Sequence, residues 1–280
     1  MNYGFVFPGG EALDAAACAQ AAEAAGWDGF FVWEPVWGVE AWISLTAAAM
    51  RTERIRLGTM LTPLSRMRPW KLAGEAATLD RLSNGRVILA VGLGAVETGF
   101  ANFGEETDRK TRAELLDEGL EILTGLWRGQ PFSFSGKHYQ ITPVEFGLPL
   151  PPIQTPIPIW VVGLWPSQKS MGRAARYQGL LPAIKNPDGS HAELTPELIG
   201  PIKAYLDEHR PSAGPYDIVI EAPHTPIATR PDSAQQAAAL EAAGATWWLE
   251  SMWDEIETMF DPKTQERILA RVKLGPPRGA

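Results

Sequence analysis

The sequence holds a single cysteine, Cys18, in 280 residues. No intramolecular disulfide can form, and a reducing, cytoplasmic compartment is expected. Cys18 lies in the alanine-rich run LDAAACAQAAEAAG, where a small buried helix residue is expected, not a nucleophile. Histidine is scarce too. Of the four, His138, His191, His209 and His224, only His224 follows a strand-like run, and zinc-type centres need clustered histidines and carboxylates. No metal site is expected. Excess positive charge is absent: 25 Lys and Arg against 33 Asp and Glu give a net charge of −8 and a pI near 5.1. That balance argues against nucleic acid or an anionic membrane as the partner. No run reaches the ~20 apolar residues of a membrane span, and Met1 leads into NYGFVFP with no leader-like basic start. The G-x-S-x-G elbow of acyl transfer is missing. So is a full G-x-G-x-x-G fingerprint, because VGLGAVETG places Glu97 at the last glycine position. Lys185, the nearest Schiff-base candidate, falls in an expected loop.

What the chain does have is 11 Trp and 24 Pro within a composition that is 45% hydrophobic and 21% charged, as in soluble globular proteins. Tryptophan at this density serves either an aromatic pocket wall or the core. Strand-like apolar runs at 3–7, 28–33, 54–61, 86–92, 157–163, 179–184, 216–222 and 245–250 alternate with helical patterns. The helices are expected up to residue 26 and at 40–50, 69–82, 109–127, 167–177, 195–209, 232–243 and 253–272. Eight such units in one chain of this length predict a (β/α)8 TIM barrel, one domain over 1–280. A doubly wound open sheet is the alternative, but no charged edge strand supports it. Residues 128–156, with a hairpin pattern around Ser135-Gly136 and the proline run PLPPIQTPIP, break the rhythm as a surface insertion before the fifth strand. The tail, 273–280, is expected to fray.

Barrel enzymes work at the C-terminal ends of their strands. Those ends hold Pro8, Trp33, Glu34, Thr59 to Thr62, Gly92 to Gly94, Gly163 to Trp165, Pro182, Glu221 to His224, Glu250 and Ser251. The third strand stands out, because LGTMLTPLSRMRP runs from an apolar strand into a stiff elbow of threonine, proline and arginine. A mouth of tryptophan, glycine, threonine and backbone, with few titratable groups, suits a cofactor that brings its own reactivity.

The stretches AAEAAGWDGFFVWEP, RTERIRLGTMLTPLSRMRPWKLAGEAATLDRLSNGRVILAVGLG, RAELLDEGLEILTGLWRG and PIPIWVVG resemble the luciferase-like flavin-dependent oxidoreductase family. The resemblance covers most of the chain. It implies a (β/α)8 barrel with an insertion, binding FMN or the deazaflavin coenzyme F420 at the C-terminal mouth. It implies that the third strand bulges beneath the flavin ring, often through a non-proline cis peptide, at Thr59, Met60 and Leu61 with Thr62 beside them. Gly92 and Gly94 would let the ring edge lie close. The flavin phosphate would sit near Gly163, Leu164, Trp165 and Ser167, where a helix begins. Trp165 would stack on the cofactor or close the pocket.

The chain also departs from the family. Many deazaflavin-dependent relatives carry Asp-His after the second strand, where this chain has Glu34-Pro35, and a glutamate after the glycine strand, where it has Ala95. Sugar-phosphate chemistry is therefore not expected. The leading expectation is a monooxygenase using reduced FMN and oxygen on a small organic substrate, with reduced flavin supplied by a separate reductase. F420-dependent hydride transfer is the alternative, and a non-catalytic flavin-binding protein a third. Glu34 is the expected acid/base. Trp33 belongs to the cofactor site, and Trp37, Arg66, Trp248 and Glu250 to the substrate pocket. By the same resemblance the protein is a homodimer.

Overall fold

The computed structural model describes residues 1–129, 131–144, 150–221 and 232–278. Eight strands close into a parallel barrel: β1 Asn2–Phe7, β2 Gly29–Val32, β3 Arg56–Pro63, β4 Val87–Gly92, β7 Ile159–Trp165, β8 Gly179–Ile184, β9 Asp217–Glu221 and β10 Trp247–Ser251. Their order around the barrel is β1-β10-β9-β8-β7-β4-β3-β2, with β1 paired to both β10 and β2. Helices α1 Ala12–Ala24, α2 Ala41–Ala49, α3 Pro69–Leu82, α4 Arg109–Arg128, α5 Gln168–Ala175, α6 Pro196–His209, α7 Ser233–Ala243 and α8 Pro262–Lys273 follow the strands in turn. Between α4 and β7 lies the expected hairpin, β5 Phe132–Ser135 and β6 Gln140–Val144.

Local chemistry explains the boundaries. Pro69, Pro196 and Pro262 open their helices at first-turn positions, where a missing N–H removes no intrahelical bond. Asp108 and Asp261 accept backbone N–H groups at the starts of α4 and α8. The single last helix expected over 253–272 is instead a 3-10 turn, Trp253–Thr258, followed by α8. Pro262 cannot donate into a helix running through it, so the chain restarts there under the Asp261 cap. The tail does not fray as far as it is described. Arg271 Nη1 donates to the Gly275 carbonyl at 3.0 Å, and Arg278 Nη2 to Asp28 at 2.6 Å.

Two hydrophobic layers result. One fills the barrel: Val6, Phe31, Met60, Ile88, Ala90, Trp160, Leu181, Val219, Trp247 and Leu249. The other lies between strands and helices and includes Phe5, Phe30, Leu57, Leu89, Val161, Leu180, Ile218 and Trp248. Much of the tryptophan is thus core. Among the described residues no helix is long and apolar enough to cross a membrane.

Candidate active site

Successive strand residues alternate between the two layers, so parity decides which strand-end side chains enter the mouth. On β10, Trp247 and Leu249 face the barrel interior while Trp248 belongs to the strand–helix layer. The next residue on the Trp248 side is Glu250, and it is 1% exposed. Both its carboxylate oxygens accept from the Arg271 guanidinium on α8, which also stacks over Trp27. Trp248 and Glu250 are therefore not pocket residues. They fasten β10 to the helix layer, and the interior parity passes to Ser251, whose buried Oγ has no hydrogen-bond partner among the described residues.

The elbow after Leu57 forms as expected. The β3–β4 register slips between Thr59 and Thr62, and the Met60–Leu61 peptide is cis, as the resemblance implies. Met60 and Leu61 turn toward the barrel interior. Thr59 and Thr62 are fully buried, and their hydroxyls lie 2.8 Å apart. Thr62 Oγ1 donates to Glu34 Oε2 at 2.5 Å. This bond has no signature in the sequence, because it joins residues on different strands.

Glu34 is 6% exposed. Burial pushes its carboxyl up to about 7, opposed by the Thr62 hydrogen bond and the Arg66 charge, which favour the ionised form. Oε1 makes no hydrogen bond among the described residues. A buried carboxyl balanced near neutrality, with one oxygen uncommitted, is equipped to take or give a proton.

The arginine of the elbow has another task. Arg66 Nη2 donates to the Pro35 carbonyl at 2.9 Å, and its guanidinium sits 5.5 Å from the Phe100 ring. Arg112 of α4 approaches the same ring at 5.8 Å and donates to the carbonyls of Leu93 and Gly94. Arg66 thus ties the β2 and β4 loops together, while the buried Nε of each arginine has no hydrogen-bond partner among the described residues. Nothing in the sequence marks Arg112 or Phe100 for this.

The glycines divide by what fills their missing side chains. A Cβ on Gly92 would meet Val162 and Leu61 at 3.0–3.2 Å, so this position faces the barrel mouth beside the bulge. Gly94, at φ +74°, lies against Phe100 and Pro63 instead. Gly163 lets α5 close on the barrel, since a Cβ there would fall 2.3 Å from Leu180 and 3.0 Å from Met171 Sδ. Gly94 and Gly163 therefore make room for protein, not for a ring. Trp165 packs edge-on against Tyr205 at 5.8 Å, away from the mouth.

Leu164 has mouth parity, and its N–H donates to Ser170 Oγ at 2.9 Å. Ser167 caps α5 by accepting from the Ser170 N–H. The N–H groups of Gln168 and Lys169 open that helix with no intrahelical acceptor. These residues fit a planar cofactor carrying a phosphate. The Met60–Leu61 bulge, Gly92 and Leu164 offer an apolar seat, and the start of α5 offers donors for an anion.

At the ends of β1 and β2 lies a cavity of about 520 Å³ lined by Phe7, Pro8, Trp33, Pro35, Val39 and Met259, among others. Trp37 stands at its rim, 81% exposed, so its indole is a wall only for a bound molecule. A larger cavity of about 900 Å³, lined by Arg54, Arg56 and Asp217, opens at the opposite, N-terminal end of the barrel. It is far from the bulge. Among the described residues no group of three His, Cys, Asp or Glu could hold a metal.

The profile of the luciferase-like monooxygenases matches residues 7–271. Among curated proteins, the F420-dependent glucose-6-phosphate dehydrogenase of Amycolatopsis mediterranei is 33% identical over 153 residues, 52% of this chain and 45% of that one. The enzyme of the same description from Nocardia farcinica is 40% identical over 105 residues, 36% and 30% of the two chains. The matched stretches thus span less than half of these relatives. An F420-dependent secondary alcohol dehydrogenase, solved with an F420-acetone adduct, superposes with a TM-score of 0.73 at 17% identity, covering 97% of this chain and 98% of that one. The oxygenating constituent of 3,6-diketocamphane monooxygenase from Pseudomonas putida, a type II Baeyer-Villiger enzyme solved with FMN, gives 0.58 at 21% identity over 79% and 66%. At such identities the likeness shows the barrel fold alone. With the family profile matched over nearly its whole length, the chain belongs to the luciferase-like monooxygenase family of oxidoreductases.

Proposed function

We propose that this protein is an F420-dependent oxidoreductase moving a hydride between its cofactor and a small organic alcohol or carbonyl compound, with Glu34 handling the accompanying proton. The observation that carries this reading is Glu34 itself: buried, balanced near neutral pH, bonded through one oxygen to Thr62 and open at the other. Hydride transfer between an alcohol and a carbonyl needs such a group. The curated relatives named for F420 support the choice of cofactor.

The bound deazaflavin supplies a two-electron hydride carrier. Met60, Leu61, Gly92 and Leu164 would hold its ring, and the start of α5 its phosphate. For an alcohol substrate, Glu34 Oε1 would take the hydroxyl proton, and the cofactor held beside it would supply the acceptor for the hydride. Thr62 holds the carboxylate in place and stabilises the charged state by donating to Oε2. In the reverse direction the protonated Glu34 returns the proton to the carbonyl oxygen.

The apolar mouth favours one second reading, oxygenation with reduced FMN, in which a separate reductase would supply the flavin and the mouth would exclude water. Titrating the purified protein with F420 and with FMN separates the two. F420 binding at micromolar concentration, with Glu34→Gln binding equally but losing at least ~10²-fold in turnover, is the expected result. Binding of FMN alone would shift the assignment to oxygenation, and binding of neither would overturn both. We extend the proposal to a homodimer, which the exposed Ile43 on α2 and Met50 at its C-cap support; sedimentation at micromolar concentration tests it.

A further inference from the structure

Pro35 directly follows Glu34. A proline has no N–H, so its carbonyl is its one hydrogen-bonding group. That carbonyl accepts from Arg66 Nη2 at 2.9 Å. Arg66 ends the 3-10 turn Leu64–Arg66, which continues the β3 elbow. Four residues earlier in the same elbow, Thr62 donates to Glu34 Oε2. One short segment therefore grips the acid/base twice, at its carboxylate and at its neighbour's carbonyl. The segment is itself anchored. Leu64 is fully buried, and it closes on Gly119 of α4, where a Cβ would stand 2.9 Å from it.

The guanidinium that holds Pro35 is seated on the Phe100 ring, 5.5 Å from its centroid, and Phe100 is 1% exposed. Arg112 approaches the same ring at 5.8 Å and donates to the carbonyls of Leu93 and Gly94. Gly94 packs on the ring too, at 2.8 Å for a Cβ placed there.

Holding a carbonyl needs a donor, not a charge. Arg66 nevertheless keeps its charge without an ion pair among the described residues, and its buried Nε has no partner there. A cation drawn out of water this way is costly unless a carboxylate nearby gains from it. Glu34 does gain. Glu40, which caps α2 by accepting from the Ile43 N–H at 2.8 Å, and Glu75 of α3, paired with Lys71 at 2.7 Å, both disfavour its ionisation. Burial disfavours it further, and Arg66 opposes all three.

We infer that Arg66 is the positioning residue of the acid/base: it fastens the Glu34–Pro35 turn to the β3 elbow and keeps a positive charge beside a carboxyl that water scarcely reaches. The inference rests on Glu34 handling the proton of the reaction. Without the charge, Glu34 stays protonated to higher pH, and the form that accepts a proton from an alcohol is correspondingly rarer near neutrality. A tether alone would leave the titration of Glu34 where it is.

Three variants separate charge from tether. Arg66→Gln keeps an amide donor for Pro35 without the charge, Arg66→Met removes both, and Arg66→Lys restores the charge. The readout is the carboxyl band of Glu34 in infrared difference spectra of the cofactor-free protein, followed across pH and identified by its loss in Glu34→Gln. Expected is a midpoint raised by about one unit or more in Arg66→Gln and Arg66→Met, and close to the parent's in Arg66→Lys. Either charge-free variant serves if the other fails to fold. A parent midpoint near 7 that neither charge-free variant moves, or an equal shift in Arg66→Lys, overturns the role of Arg66 alone. A parent carboxyl ionised across the whole range overturns the acid/base reading and this inference with it. Failure of F420 to bind bears on the cofactor and leaves the titration readable.

Discussion

Glu34 stores instability in the folded protein. Its carboxyl sits at about 7 when folded against an ordinary value near 4.5, so between those limits the native state binds the proton that the unfolded chain releases. Stability is therefore full below about pH 4.5 and falls as pH rises through 7. The gap corresponds to about 3 kcal/mol. Glu34→Gln, which carries no charge, should thus match the parent at about pH 4 and exceed it at pH 8 by up to that amount in urea titrations. An equal or lower stability at pH 8 would show that the buried charge is compensated. Stability given up at a reacting group is the usual trade at an active site.

At the scale of elements, one buried ion pair fastens a strand to a helix. The Glu250–Arg271 pair joins β10 to α8 inside the helix layer, where both side chains are under 5% exposed. Removing one partner leaves a buried charge, so Arg271→Ala should cost about 3–5 kcal/mol. Replacing both by apolar residues of similar volume should cost much less, and melting curves of the three variants test this. This pair also explains what the sequence could not reveal. WWLES presents two tryptophans in succession, so the apolar pattern does not say which residue of each pair faces inward. Glu250 reads as a mouth residue until β10's parity is known. The elbow was legible because prolines and threonines punctuate it locally, whereas the Thr62–Glu34 and Arg112–Gly94 contacts join distant segments. Gly163, taken from sequence as a phosphate-loop glycine, is explained only by how closely α5 approaches the strand.

For the molecule as a whole, the barrel was legible because each strand–helix unit carries its own apolar period and its own stop signal. The exception is the last unit, where the apolar pattern continues past Pro262 although a helix cannot. Closure itself depends on the two ends of the chain. β1 pairs with β10, the Trp27 indole donates to the Val272 carbonyl at 2.9 Å, and Gly275 packs on the Ala25 carbonyl. Deleting residues 262–280 strips the cover from this seam and strands Glu250. The shortened chain should lose its near-ultraviolet circular dichroism and cooperative melting, though seven strand–helix units remain intact. A sharp thermal transition in that variant would show that the other seven suffice.

The row of oxygens from Glu34 through Thr62 and Thr59 has a direction. A threonine hydroxyl has one proton to give, so an ionised Glu34 obliges Thr62 to point toward it and Thr59 to point toward Thr62. A proton taken at Oε1 leaves Oε2 an acceptor, so the row keeps its direction. The reverse order, with Thr59 donating to the Ala90 carbonyl 3.5 Å away on β4, needs the proton on Oε2. Which carboxyl oxygen carries the proton, and not its presence alone, therefore decides which way the hydroxyls of the barrel wall point.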